Sequence, residues 1–396
     1  MQTHGAAGPI ARERSQSLVA GLAAAALALG AAYVASEATL RLAALWLVGG
    51  ALGFALYHAA FGFAGAYRVL FTRGRSGSVR AQMLMLAVAV AIFFPVLEAG
   101  SLFGEPVRGF VFPAGIEVAI GAFLFGIGMQ LGGGCASGTL YTAGGGDTRM
   151  VVTLVFFVVG MTIGAYDVER WEGLPALPPI SLPASLGLLP ALALHLGLFA
   201  LIAWAAAARE QRMTGVVEPI FRRGGASFLT GPWPLAWAAL ALALLNAATL
   251  VLAGRPWGIT QAFATWGSLV GEATGLADPV FWAYWDDPTR VDLLHRPLVR
   301  DATSLMNIGL MAGALLAAGL AGRFAPSWRI GWGPLLAAIV GGLMLGYGAR
   351  MAFGCNISAF FSGVASGSLH GWLWILAALP GNWLGTQMRP LFGLSK

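Results

Sequence analysis

Charge is what this chain has least of. Asp, Glu, Lys and Arg make up 10% of its 396 residues, against about 25% in soluble domains. With 58% hydrophobic residues and a mean hydropathy of +0.76, that scarcity excludes a soluble fold. Lysine occurs only at the C-terminus, as Lys396, and no basic stripe interleaves with aromatics. The net charge of +6 is therefore arginine, and no nucleic-acid partner is expected. Cysteine is nearly absent as well. Two residues, Cys135 and Cys355, cannot build a disulfide framework. No CxxC, HExxH or Walker loop is present, so the pattern supplies no thioredoxin-like, metal or nucleotide chemistry, and no cofactor is expected. Any ATP drive would have to come from another subunit.

What the chain does have is long apolar runs. Ten are of membrane-spanning length, near 17–36, 42–61, 79–97, 114–132, 149–166, 189–208, 233–253, 299–320, 332–352 and 370–388. The first follows Arg12 and Arg14 and is long for a signal-peptide core, so it is read as a retained span. Four shorter pieces, near 62–70, 135–144, 257–270 and 356–366, are too short or too glycine-broken to span. The expected fold class is an all-α polytopic membrane protein, one membrane domain over 1–396, with about 9–10 transmembrane helices plus broken, re-entrant ones.

Arginines orient the spans. Arg68, Arg73, Arg75 and Arg80 lie in one connection, Arg209, Arg212, Arg222 and Arg223 in a second, and Arg323 and Arg329 in a third. An N-terminus on the inside places all three in the cytoplasm. The opposite connections read as acidic or mixed, with Glu98, Glu105, Asp167, Glu169 and Glu172, and with Asp286 and Asp287 in a long stretch rich in tryptophan and proline.

The chain also repeats itself. FGIGMQLGGGCASGTLYTAGG from Phe125 aligns with LGYGARMAFGCNISAFFSGVA from Leu345, setting Gly126 on Gly346, Gly128 on Gly348, Gly134 on Gly354 and Cys135 on Cys355. FGFAGAY from Phe61 aligns more weakly with WGITQAF from Trp257. The first repeat covers 17–166 and the second 189–390. Five spans per half is an odd number, so the second half is inverted, the common plan of transporters with sites at the midplane.

Glycine breaks at membrane depth are tolerated where protein buries them or water reaches them. A short helix beginning near each cysteine would aim unpaired N–H groups, a partly positive end, at a central passage. The competing reading makes the same glycines ordinary close-packing positions between helices.

The segments GMQLGGGCASGTLYTAGGG, RPWGITQAFATWG and RMAFGCNISAFFSGVASGSLHGWLW resemble the YeeE/YedE family of bacterial sulfur-transport membrane proteins, over a stretch from about Leu42 to Pro390. The resemblance implies an hourglass-shaped protein of the bacterial inner membrane whose bent loops meet at the centre. It also implies that thiols hand thiosulfate inward through S–H···S contacts. Cys135 and Cys355 match two of the family's cysteines. Many members carry a third, in a stretch like FCFAGAFR, where FGFAGAYR has Gly62. A three-thiol relay therefore does not carry over.

The residue type suits the task. A neutral thiol is a weak donor that contacts a soft sulfur without trapping it. The implied substrate is thiosulfate or a related sulfur anion. The alternatives are another sulfur or selenium compound, export instead of uptake, a thiol oxidoreductase pairing the two cysteines, and an accessory subunit of a sulfur-trafficking complex. A cytoplasmic sulfur-carrier protein is the one protein partner this reading admits, docked on the arginine connections.

Lesser candidates are Ser137 and Asn356, as oxyanion donors or half-helix caps. Arg350 is a charge near membrane depth or a snorkelling side chain. Thr260 is a donor or cap at a break, and Gly62 a pathway position. Gln130 matches Arg350 across the repeat. His58 and His195 read as packing residues, and His295 and His370 as interfacial.

Overall fold

The structure, a computed structural model, describes residues 16–171, 173–225 and 227–396. Arg12, Arg14 and Glu172 lie outside the described residues. The helices in chain order are α1 (Ser17–Glu37), α2 (Leu40–Ala59), α3 (Phe63–Arg73), α4 (Gly77–Ala99), α5 (Ile116–Gly132), α6 (Ala136–Gly144) and α7 (Thr148–Tyr166). A short α8 (Leu182–Leu186) leads into α9 (Leu188–Thr214), α10 (Leu235–Ala253), α11 (Thr260–Ala273), α12 (Pro288–His295), α13 (Ala302–Leu320) and α14 (Trp332–Met351). A π-helix (Asn356–Phe361) then continues into α15 (Ser362–Ala365), and α16 (Leu369–Met388) ends the bundle. Strand is confined to two-residue pairings in the connections, such as Ala114 opposite Leu177.

This is an all-α multi-pass membrane protein. Among the described residues, nine helical stretches are long and apolar enough to cross a membrane. The tenth run in the sequence, α16, has twenty residues but is not one of the nine. It carries Asn382 and Thr386, both fully buried, and packs against α5. Each of the four short pieces becomes its own helix beside a span: α3 after α2, α6 after α5, α11 after α10, and the π-helix after α14.

Small residues set the packing. A Cβ at Gly126 would overlap Ala378 and Asn382 of α16, one at Gly348 would overlap Gly121 and Phe125 of α5, and one at Gly346 would overlap Phe157 and Met161 of α7. Backbones approach closely there, as in small-residue contacts between membrane helices. Pairing of elements recurs across the two halves. The α2–α13 contact corresponds to α10–α4, α7–α14 to α16–α5, and α1–α13 to α9–α4, while α2–α10 and α5–α14 join corresponding helices directly. The outermost helices, α1 and α9, bury few residues and present leucines outward.

Candidate functional site

Each cysteine sits at the start of a half-helix and caps it. Helix α5 stops where Gly133 takes a positive φ of +96°, a conformation glycine tolerates without a Cβ clash. Two residues later Cys135 is extended. Its Sγ accepts from the Gly138 N–H at 3.4 Å and its carbonyl from Thr139 N at 2.8 Å, which opens α6. In the other half, Phe353 and Gly354 make the turn, and Cys355 Sγ accepts from Ile357 N–H at 3.4 Å. There Ala359 N and Phe360 N both donate to the Cys355 carbonyl, at 2.8 and 3.3 Å, which widens the first turn into a π-helix. Both thiols are free and buried.

The irregular backbone around these breaks is satisfied by side chains, as a dry interior requires. At the end of α5, Arg389 donates to the Gln130 carbonyl, Arg149 to Leu131, and Thr153 to Gly132. At the end of α14, His370 meets the Ala352 carbonyl at 2.9 Å, and Trp374 donates to Gly354 at 3.1 Å. In the 254–259 stretch, Trp257 N donates to Asn246 Oδ1, Ser362 Oγ to the Trp257 carbonyl, Ile259 N to Ser358 Oγ, and Asn307 Nδ2 to the Ile259 carbonyl.

Two cavities open at opposite ends of α13 and α14. The larger, about 730 Å³, is lined by Arg41, Arg255, Arg290, Arg296, Arg300 and Arg350, against the carboxylates Asp287 and Asp301. Its inner wall includes Ile259, Thr260, Gly354 and Ser358. Ser358 Oγ lies 3.8 Å from Cys355 Sγ, so this floor touches the second thiol. Tyr284 reaches over the cavity with the Arg290 and Arg350 guanidinium carbons 4.8 and 4.4 Å from its ring centre. Its hydroxyl donates to Gln261 Oε1 at 2.9 Å. Arg255 donates to Thr303 Oγ1 at 2.8 Å; burial lowers its pKa, with Asp301 opposing the shift. The smaller cavity, about 500 Å³, is lined by Tyr57, Thr142, Asp147, Arg149, Arg323 and Arg329 at the α6 C-terminus and the start of α14. Beside it, burial, with help from Arg68 and Arg149, pushes the Arg389 pKa down to about 10.

A tightly packed layer, the seal, surrounds the two thiols. Phe63 of α3 packs edge-on against Phe360 of the π-helix, with centroids 6.5 Å apart, and the Phe63 amide faces the Cys135 sulfur. Ser137 Oγ lies 3.3 Å from that sulfur.

The residues picked from the sequence fall into three places. Arg350 and Thr260 line the larger cavity; Cys135, Ser137, Cys355 and Asn356 sit buried at the seal; Gly62 starts α3. A Cβ on Gly62 would meet only the Tyr141 hydroxyl, at 3.3 Å, and its φ of −119° suits any residue.

Several expectations need correction. The half-helix caps are the thiols, not Ser137 or Asn356, because the cysteine is the last extended residue in each break. Thr260 does not cap α11; Ile259 holds that position without a side-chain bond. Arg350 does not snorkel, being 6% exposed beneath Tyr284. His370 is fully buried on the Ala352 carbonyl, not interfacial. Part of the connections read as acidic or mixed contributes to an arginine-lined cavity, where Arg41, Arg255, Arg290, Arg296 and Arg300 meet beside Asp287 and Asp301. Their only sequence signal is that most of them lie at or between the ends of apolar runs.

The sulphur transport family model matches residues 58–384, most of the chain. The chain belongs to the sulphur-transport family. Among curated relatives, the probable transporter YedE of Salmonella typhimurium is 32% identical over 165 residues, 40% of this chain and 39% of that protein. The chain thus matches well under half the length of that relative. The thiosulfate transporter TsuA of Spirochaeta thermophila is 31% identical over 292 residues, 67% of this chain and 74% of that protein. The thiosulfate transporter TsuA of Escherichia coli is 23% identical over 366 residues, 86% of this chain and 93% of that protein. The family is one of transporters, and within it both cysteine segments fall inside the matched region.

Proposed function

We propose that this protein carries a small sulfur anion, thiosulfate above all, inward across the bacterial inner membrane. One observation carries the reading: two buried thiols each cap a half-helix at the seal below an arginine-lined cavity. The arginines raise the local concentration of an anion. The half-helix N-termini favour its charge, and the thiols contact a soft sulfur without holding it. The TsuA relatives, named for thiosulfate, support the substrate.

The reading includes an inverted repeat, supported by element contacts that correspond when the halves are exchanged. It places the smaller cavity and the arginine connections in the cytoplasm. There Arg323 and Arg329, at the mouth of that cavity, offer a sulfur-carrier protein its docking charges.

The test is growth on thiosulfate as sole sulfur source in a host stripped of its own uptake systems, together with uptake of radiolabelled thiosulfate. Growth and uptake that depend on this protein are expected; absence of both overturns the reading. Cysteines introduced into the 67–80 and 209–223 connections of a Cys-free variant should resist an impermeant thiol reagent in intact cells. Ready labelling of both would reverse the orientation. A thiol oxidoreductase would instead cycle a Cys135–Cys355 disulfide, which needs Cα atoms within about 7 Å. Recovery of that disulfide in step with turnover would replace the transport reading.

A further inference from the structure

Two side chains at the seal hold polar atoms that lack a well-formed hydrogen bond among the described residues. Tyr67 is 3% exposed and Asn356 fully buried. Yet the Tyr67 hydroxyl and both polar atoms of the Asn356 amide make no well-formed hydrogen bond among the described residues, the two side chains facing only each other. They lie side by side, Tyr67 one turn along α3 from Phe63, and Asn356 directly after Cys355. Nearby buried polar groups have found partners: Asn246 with Ser362, Ser358 with the Ile259 amide, and Asn382 with the Ala378 carbonyl. Unpartnered buried donors oppose folding; Trp257 Nε1 and Asn307 Oδ1 are left over too, but Tyr67 and Asn356 gather theirs in one place beside the Cys355 thiol, and that grouping points to a ligand.

We propose that the Tyr67 hydroxyl and the Asn356 amide N–H hold the oxygens of a passing anion while the Cys135 and Cys355 thiols contact its terminal sulfur. This deepens the transport reading and rests on it. The seal then recognises both ends of one molecule. Hydrosulfide and selenide offer no oxygens to the hard donors, and sulfate offers no soft atom to the thiols. Thiosulfate offers both.

The test uses the full chain in liposomes, with radiolabelled thiosulfate as substrate and sulfite, which has the oxygens but no terminal sulfur, as competitor. Sulfite should compete in the wild type. Tyr67→Phe removes one oxygen atom and keeps the ring. It should raise both the thiosulfate KM and the sulfite inhibition constant about tenfold, the scale of one hydrogen bond to a charged group. Asn356→Ala should do the same. Cys355→Ala should weaken thiosulfate and leave sulfite unchanged, a split that general loosening of the seal would not produce. The inference is overturned by a wild type that sulfite does not inhibit, or by a folded Tyr67→Phe with unchanged constants. It is also overturned if Tyr67→Phe and Cys355→Ala show one pattern, or if Tyr67→Phe cannot fold, which would make the hydroxyl structural. A wild type without thiosulfate uptake overturns the transport reading alone. Thermal-shift binding of thiosulfate and sulfite to the purified protein then decides the inference by the same pattern.

Discussion

The two cysteine breaks have the same plan and different supports. In both, a thiol takes the place of the usual hydroxyl or carboxylate cap and accepts a backbone N–H at 3.4 Å. Around Cys135 the chain turns on glycines, and two guanidiniums close the α5 carbonyls. Around Cys355 the turn passes through Phe353 at a φ of +54°, unusual for a bulky residue. Phe353 is stacked on Phe112 with centroids 5.3 Å apart, and an imidazole and an indole cover the carbonyls. Arg149 and His370 are each the second residue of their helix, so one position in the plan carries a cation at one break and an aromatic ring at the other. The lesson is that the thiol cap is the shared element, while the means of satisfying the backbone differs between the two breaks.

The largest test of that equivalence is removal of each thiol. Cys135→Ala and Cys355→Ala should each lower thiosulfate uptake at least about tenfold, a loss of about 1.4 kcal/mol or more in transition-state stabilisation. The serine variants should keep their caps and a small residual rate. If one cysteine proves dispensable in the uptake assay, the two breaks are not partners in one path.

The supports come next. Arg149→Ala strips bonds from the Leu131 and Pro334 carbonyls, and His370→Ala from Ala352 alone. At about 1–3 kcal/mol per buried group left unpaired, Arg149→Ala should be the more destabilising in detergent unfolding curves. The reverse order would mean that water reaches the α5 carbonyls.

A smaller effect is expected where the repeat sets Arg350 against Gln130. Arg350→Gln removes one charge from the larger cavity. The thiosulfate KM should rise several-fold with little change in maximal rate, and the salt dependence of uptake should weaken. A fall in maximal rate at unchanged KM would place Arg350 in the passage step and not in capture.

The smallest effect separates two kinds of glycine. Gly62→Cys should fold as the wild type does, react with small thiol reagents, and keep or raise uptake, because only the Tyr141 hydroxyl stands within 4 Å of the new Cβ. Gly133→Ala should cost on the order of 1 kcal/mol or more, since its φ is positive and the Met150 Cε lies 2.8 Å from a Cβ there. Equal loss of folded yield in both would make Gly62 structural and take it off the pathway.

The two readings of the repeat glycines turn out to divide by position. Gly126, Gly128, Gly346 and Gly348 sit against neighbouring helix backbone, whereas at the breaks Gly354 takes a positive φ and its match Gly134 does not, the positive φ falling on Gly133 beside it. Spacing alone could not separate them, because both uses select for a missing Cβ.

What the sequence determined by itself was the membrane class, the place of every long helix and of the four short ones beside them, though not of α8 or α12, and the two cysteines at matching breaks. These are local properties: apolar run length, glycine interruption and the lack of charge. What only the tertiary structure decided is what meets at the seal. Arginines from four separate stretches share one cavity, Tyr67 comes beside Asn356, and Arg389 closes a carbonyl 259 positions away. Such contacts depend on how helices cross, and crossing is set by the backbone approaches that the packing glycines permit. That information is spread over many weak positions, with no motif of its own.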